Sequence, residues 1–131
     1  MEVIGFPDAE ARAVAFLKSE YVSRGVAAGV GTKFPAKNVP ALFTRVSRAG
    51  GGARDLVTDS PRLLFECYGD STVTAAELGK VTRALVGAWA RLSDDVTRVQ
   101  DGEGLAFNPD PDTNQARYQF VAQVDMRGDT I

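Results

Sequence analysis

The sequence predicts an α+β fold: two amphipathic helices packed on one face of a mixed, mostly antiparallel β-sheet, with a long hairpin arm. Apolar residues recur at helical spacing in two stretches, one after Asp8 and one after Thr74. Short segments with strand character fall at residues 43–48, 62–68, 96–100, 105–107 and 118–126. The order is then helix, two strands, helix, and two or three strands, which places the helices together on one side of the sheet. The 131 residues, 44% hydrophobic and 24% charged, make a single domain, residues 1–131, large enough to hold a core without metal or disulfide staples.

The first helix opens at Phe6-Pro7-Asp8, where the Asp8 carboxylate can accept orphan backbone N–H bonds as an N-cap. Ala11, Val14, Leu17 and Tyr21 form its apolar stripe, and Gly25 stands where a C-terminal cap glycine belongs. Residues 26–42, punctuated by Gly29, Gly31, Pro35 and Pro40, form a long connection with a short extended piece near Val30–Phe34. Residues 43–48 alternate as a strand, residues 49–55 break it with Gly50-Gly51-Gly52, and Pro61 leads into the strand at 62–68. These two strands pair antiparallel through a long arm with a flexible glycine joint.

Thr74-Ala75-Ala76-Glu77 has the form of a capping box, and Leu78, Val81, Leu85, Ala88, Trp89 and Leu92 follow as a stripe. The spacing predicts a second helix over 74–92. In the last third, 96–100 and 105–107 flank Asp101-Gly102-Glu103-Gly104, which reads as a hairpin turn. Residues 108–114 are a loop by composition. Tyr118, Phe120, Ala122, Val124 and Met126 alternate with polar residues, as in a strand with one buried face.

The composition offers little catalytic chemistry. Histidine is absent, which removes the commonest general base, the usual triads and most zinc sites. Cys67 is the only cysteine and reads as a small buried hydrophobe in a strand. Asp110 and Asp112, with Asn108 and Asn114, lack the glycine and bidentate glutamate of a calcium loop, and read as a polar turn. No cofactor, metal or catalytic set is expected. The net charge of −2 argues against a dedicated nucleic-acid binder. The longest apolar run, around Ala84–Ala90, is too short to cross a bilayer, and no basic-then-apolar leader is visible, so a cytoplasmic chain is expected.

The stretch from Arg45 to Pro61 stands apart. Arg45, Arg48, Arg54 and Arg62 interleave with Asp55, Asp59 and Glu66, and arginine suits two-pronged pairing with carboxylates. The glycines suggest a phosphate cradle, but Ala53-Arg54-Asp55 follows them where the known fingerprints place a lysine or a helix start. A polar arm that docks on a neighbouring protein is the better reading. It makes Arg45, Arg48, Arg54, Asp55, Asp59 and Arg62 the candidate subunit contacts. The bland alternative is a solvated face with casual ion pairs, each worth little.

Taken in order, several segments resemble the tail terminator family of long-tailed (siphovirus-type) bacteriophages, in its actinobacteriophage form. They are Pro7-Asp8-Ala9-Glu10, residues 43–51, Asp59-Ser60-Pro61-Arg62-Leu63, the alanine-rich second helix, residues 105–110, and Arg117-Tyr118-Gln119-Phe120. The resemblance implies a non-enzymatic virion protein that forms a ring, typically a hexamer, at the head-proximal end of the tail. Such a ring caps the tail tube, stops its polymerisation and offers the head–tail joining surface. The implied partners are other copies of the chain, the tail tube protein and a head–tail connector protein. DNA only passes through the lumen, no membrane is involved, and assembly takes place in the host cytoplasm. A hairpin arm that reaches a neighbouring subunit is also implied, here residues 48–59. Two alternatives stay open: a head-completion or connector protein of the same virion, and a small domain binding an anionic ligand through Gly50–Gly52 with Arg48 and Arg54.

Overall fold

Asp8 begins the first helix in the computed structural model, which describes residues Met1–Ile131. Its carboxylate accepts from the Ala11 N–H at 3.0 Å, and α1 runs over Ala9–Ser23. The helix ends on Gly25, whose φ of +69° suits glycine. The N–H groups of Gly25 and Val26 return to the carbonyls of Val22 and Tyr21, a Schellman cap. The buried stripe is rotated from the expected one. Ala9, Ala13, Phe16, Leu17 and Tyr21 are buried, whereas Ala11 is exposed and Val14 half-buried. Phe16 sets this rotation by stacking on Trp89 with ring centroids 5.0 Å apart.

Five strands form the main sheet: β2 (Gly29–Gly31), β3 (Phe43–Ala53), β4 (Thr58–Tyr68), β5 (Arg98–Phe107) and β6 (Arg117–Arg127). Their spatial order is β2-β3-β4-β6-β5, and only the β2–β3 pair is parallel. A separate small pair joins β1 (Ile4–Gly5) to β7 (Asp129–Thr130). The extended piece expected near Val30–Phe34 is β2, which starts one residue earlier and ends at Gly31.

The second helix starts earlier and stops sooner than the spacing predicts. Ser71 is the N-cap and Thr74 is its reciprocal partner in the capping box, so α2 covers Thr72–Gly87. The chain then resets at Ala88 and makes one further turn, α3 (Trp89–Leu92). Gly79 lies against Leu105 and Tyr118, which turns Thr82 and Val86 inward beside Leu78 and Leu85. Val81 and Leu92, expected in the stripe, are 37% and 45% exposed. Trp89 is fully buried, as expected.

The hairpin expected at Asp101–Gly104 does not exist. β5 runs straight through those residues as an edge strand on β6, with register shifts between Asp101 and Glu103 and between Glu103 and Ala106. Glycine serves bulges as well as turns, and the two bulges blunt an otherwise open edge.

The helices cover one face of the sheet. Val46, Leu63, Phe65, Phe120, Val124 and Met126 pack there against Leu17, Leu78, Leu85 and Trp89. Buried Cys67 belongs to the same face, and its burial raises the thiol pKa to about 11. The Tyr21 hydroxyl ties α1 to the sheet and to α2 through Thr44, at 2.8 Å, and Thr82. That bridge satisfies the three buried hydroxyls, whereas the Trp89 Nε1–H is buried without a partner. No helix is long and apolar enough to cross a membrane.

Candidate subunit interface: the arm and the open face of the sheet

β4 lies between β3 and β6, an inner position where proline is normally excluded because it offers no N–H to the ladder. Pro61 is accommodated by a bulge in β3. Arg48 pairs with Leu63 and Gly51 with Pro61, so Ala49 and Gly50 together oppose Arg62. Gly50 and Gly51 have φ of +107° and +78°. A Cβ on Gly51 would collide with the Ser60 carbonyl and lie 2.7 Å from the Arg62 nitrogen. The glycine run is therefore neither a break nor a flexible joint, as the sequence suggested. It is a bulge built around a proline, and the β3–β4 ladder continues beyond it to Ala53 and Asp59.

Arg48 closes the bulge. Its guanidinium makes a bidentate pair with Asp59, at 3.0 and 3.2 Å, and also donates to the carbonyls of Gly50 and Gly51. Asp59 is 4% exposed and lies on the helix-covered face. The Arg48 N–H donates to Glu10 Oε2 at 2.7 Å, which fastens the base of the arm to α1. Charge-assisted, two-pronged bonds of this type are shorter and stronger than neutral ones.

The tip turns at residues 54–57. Asp55 Oδ1 accepts from the Val57 N–H at 2.9 Å. That bond is the main reason its carboxyl titrates below the usual aspartate value; the Thr58 and Arg54 side chains add to it. Arg54 folds over the other face of the sheet and donates to Asp125 Oδ2 at 2.9 Å, while Ser60 Oγ donates to Asp125 Oδ1 at 2.6 Å. Arg62 forms a looser, exposed pair with Glu103 at 3.6 Å. Every residue from Arg48 to Val57 is exposed, and Leu56 is 89% exposed. The arm is thus bare but pinned at three points.

Four of the six predicted contact residues lie on this arm, with Arg62 just past it on β4. Arg45 does not; it stands near the opposite end of β3, where its Nε donates to the Thr32 carbonyl at 3.4 Å. The anionic-ligand alternative loses its geometry here. A phosphate cradle needs backbone N–H groups aimed inward, whereas Gly50 and Gly51 offer carbonyls that Arg48 already occupies.

The sheet face opposite the helices carries a cluster that the sequence did not reveal. Arg117 and Glu66 form an ion pair at 2.7 Å with side chains only 11% and 9% exposed. Arg117 also donates to the Asn108 carbonyl and to the Tyr68 hydroxyl. Burial alone would lower the Arg117 pKa, but the Tyr68 bond and the neighbouring acids outweigh it and hold the charge in place. Phe34 covers this end, edge-on to Tyr68 at 4.6 Å and tilted against Phe43 at 5.0 Å. Between Phe34–Pro40 and the loop from Asp110 to Gln115 lies an open groove of about 610 Å³. The Asp110 carboxyl titrates low, chiefly because it accepts the Asp112 N–H.

The fold and site define a small α+β domain with a rigid, exposed two-stranded arm and an uncovered polar sheet face. A scan against protein-family models and a search of the curated proteins find no match to this chain.

Proposed function

We propose that this chain is a ring-forming structural subunit of a long-tailed bacteriophage, the tail terminator that caps the tube, stops its growth and presents the surface joined by the head. The observation that carries this reading is the pinned arm. Four charge-bearing side chains, Arg48, Asp59, Arg54 and Asp125, are spent on stiffening a segment that contributes nothing to the core. A stiff, exposed projection costs conformational entropy on folding, and docking to a neighbour then requires no further ordering. The ordered resemblance of segments along the chain supports the particular assembly. In this reading the partners are other copies, the tail tube protein and a connector, and the net charge of −2 disfavours adhesion of DNA moving through the lumen.

Electron microscopy of particles made without this gene tests the proposal. Overlong tails, or tails of regulated length that fail to join heads, are expected. Tails of normal length joined to filled heads would overturn it.

A further inference from the structure

We infer that the tip of the arm, Arg54 to Val57, docks in the groove between Phe34 and Asp112 of a second copy of this chain. The inference rests on the ring-forming reading and names the contact that would build the ring. Leu56 is 89% and Val57 44% exposed, on a turn held by the Arg54 and Asp55 bonds described above. The groove offers an apolar wall of Phe34, Val39 and Pro40, with Val39 itself 51% exposed. Its polar lining carries both signs, Arg45 together with Asp110 and Asp112. The tip carries the complement, Arg54 followed by Asp55. Arg54 uses only Nη1 on Asp125, which leaves Nε and Nη2 to meet Asp110 or Asp112. Arg45 uses only Nε on Thr32, which leaves both terminal nitrogens to meet Asp55.

The two surfaces cannot meet within one molecule. The groove lies at the Phe43–Tyr68 end of the sheet and the tip beyond Ala53. Ten residue steps along β3 separate them by about 30 Å. A contact between different surfaces of identical copies is heterologous, and it closes into a ring or continues as a filament. The apolar knob supplies burial and the opposed charges fix its register.

Disulfide trapping tests the contact directly. Cys67 is buried, so it does not compete in the folded protein. Mild oxidation of a Leu56→Cys/Val39→Cys double variant should give a ladder of linked species beyond dimer, at least tenfold more abundant than in a Leu56→Cys/Val81→Cys control. Each single-cysteine variant should stop at dimer. Leu56→Asp and Val39→Asp should each keep the wild-type circular dichroism, fail to form rings, and combine as a one-to-one dimer when mixed. Equal ladders in the Val81 control, no species beyond dimer, or rings from Leu56→Asp would overturn the docking site. Rings that persist in Leu56→Asp would leave the ring-forming reading standing. A wild-type chain that neither sediments above monomer nor caps a tube would remove both.

Discussion

The matched pair of Gly51 and Pro61 makes a graded prediction. Replacing Gly51 with alanine places a Cβ at φ +78° against the Ser60 carbonyl, the Arg62 nitrogen and the Pro61 Cα, all of them backbone atoms. The left-handed conformation costs an L-residue about 1–2 kcal/mol. Overpacking against backbone adds roughly 1–3 kcal/mol, and restriction of the unfolded chain returns about 0.4–1 kcal/mol. The net loss is about 1–5 kcal/mol, centred on ~3 kcal/mol, or a fall of roughly 1–2 M in the urea midpoint at that centre for a domain of this size. Gly50→Ala, at φ +107° with nothing within 4 Å, carries only the backbone strain and should lose about 1 kcal/mol. Gly52→Ala, with neither strain nor a close neighbour, should change the midpoint little. The fluorescence of Trp89, the single tryptophan, reports unfolding, and hydrogen exchange at Val46–Ala53 reports local loss of the ladder. Equal midpoints and equal exchange in all three variants would refute the bulge account.

Trp89→Ala should cost about 3–5 kcal/mol, because the ring is fully buried and stacked on Phe16; a cost under about 1 kcal/mol by chemical denaturation would contradict that packing. Glu66→Ala leaves the Arg117 guanidinium buried without its partner and should cost about 3–5 kcal/mol, whereas Glu66→Leu combined with Arg117→Met should recover most of it. If the double variant were no better than the single one, the pair would not be the source of the loss. The Cys67 thiol is raised by burial from 9.0 to about 11. Its folded pKa therefore exceeds the unfolded one, so its stabilising contribution is intact below about pH 9 and is lost as pH climbs towards 11. Urea midpoints should fall over that window, and less steeply in Cys67→Ala; identical slopes would exclude the thiol as a cause.

Elements specified by neighbouring residues were legible in the sequence. Asp8 and Gly25 bracket α1 because caps act on backbone groups within one turn. Trp89 was placed in the core because its stripe neighbours Leu78 and Leu85 share its side of the structure. Glycine was the main source of error, since one residue type serves turns, joints and bulges. Gly102 and Gly104 suggested a hairpin and are part of a bulged edge strand, while Gly50 and Gly51 suggested a joint and allow Pro61 into an inner strand. Choosing among these uses needs the register of the partner strand. The Arg117–Glu66 pair was illegible for the same reason: its members are 51 positions apart and meet only once β4 and β6 are aligned. The arm residues were found by composition, but their partners Glu10 and Asp125 lie outside the charged window and came only with the fold.

In the function proposed above, a stiff arm lets this chain form a cap that ends tube growth. The most direct measurement adds the purified chain to polymerising tail tube protein and records tube length by electron microscopy. Shorter tubes bearing a ring at one end are expected, with no arrest when Leu56→Asp replaces the wild type. Tubes of the same length distribution with and without the chain, and with bare ends, would contradict that function.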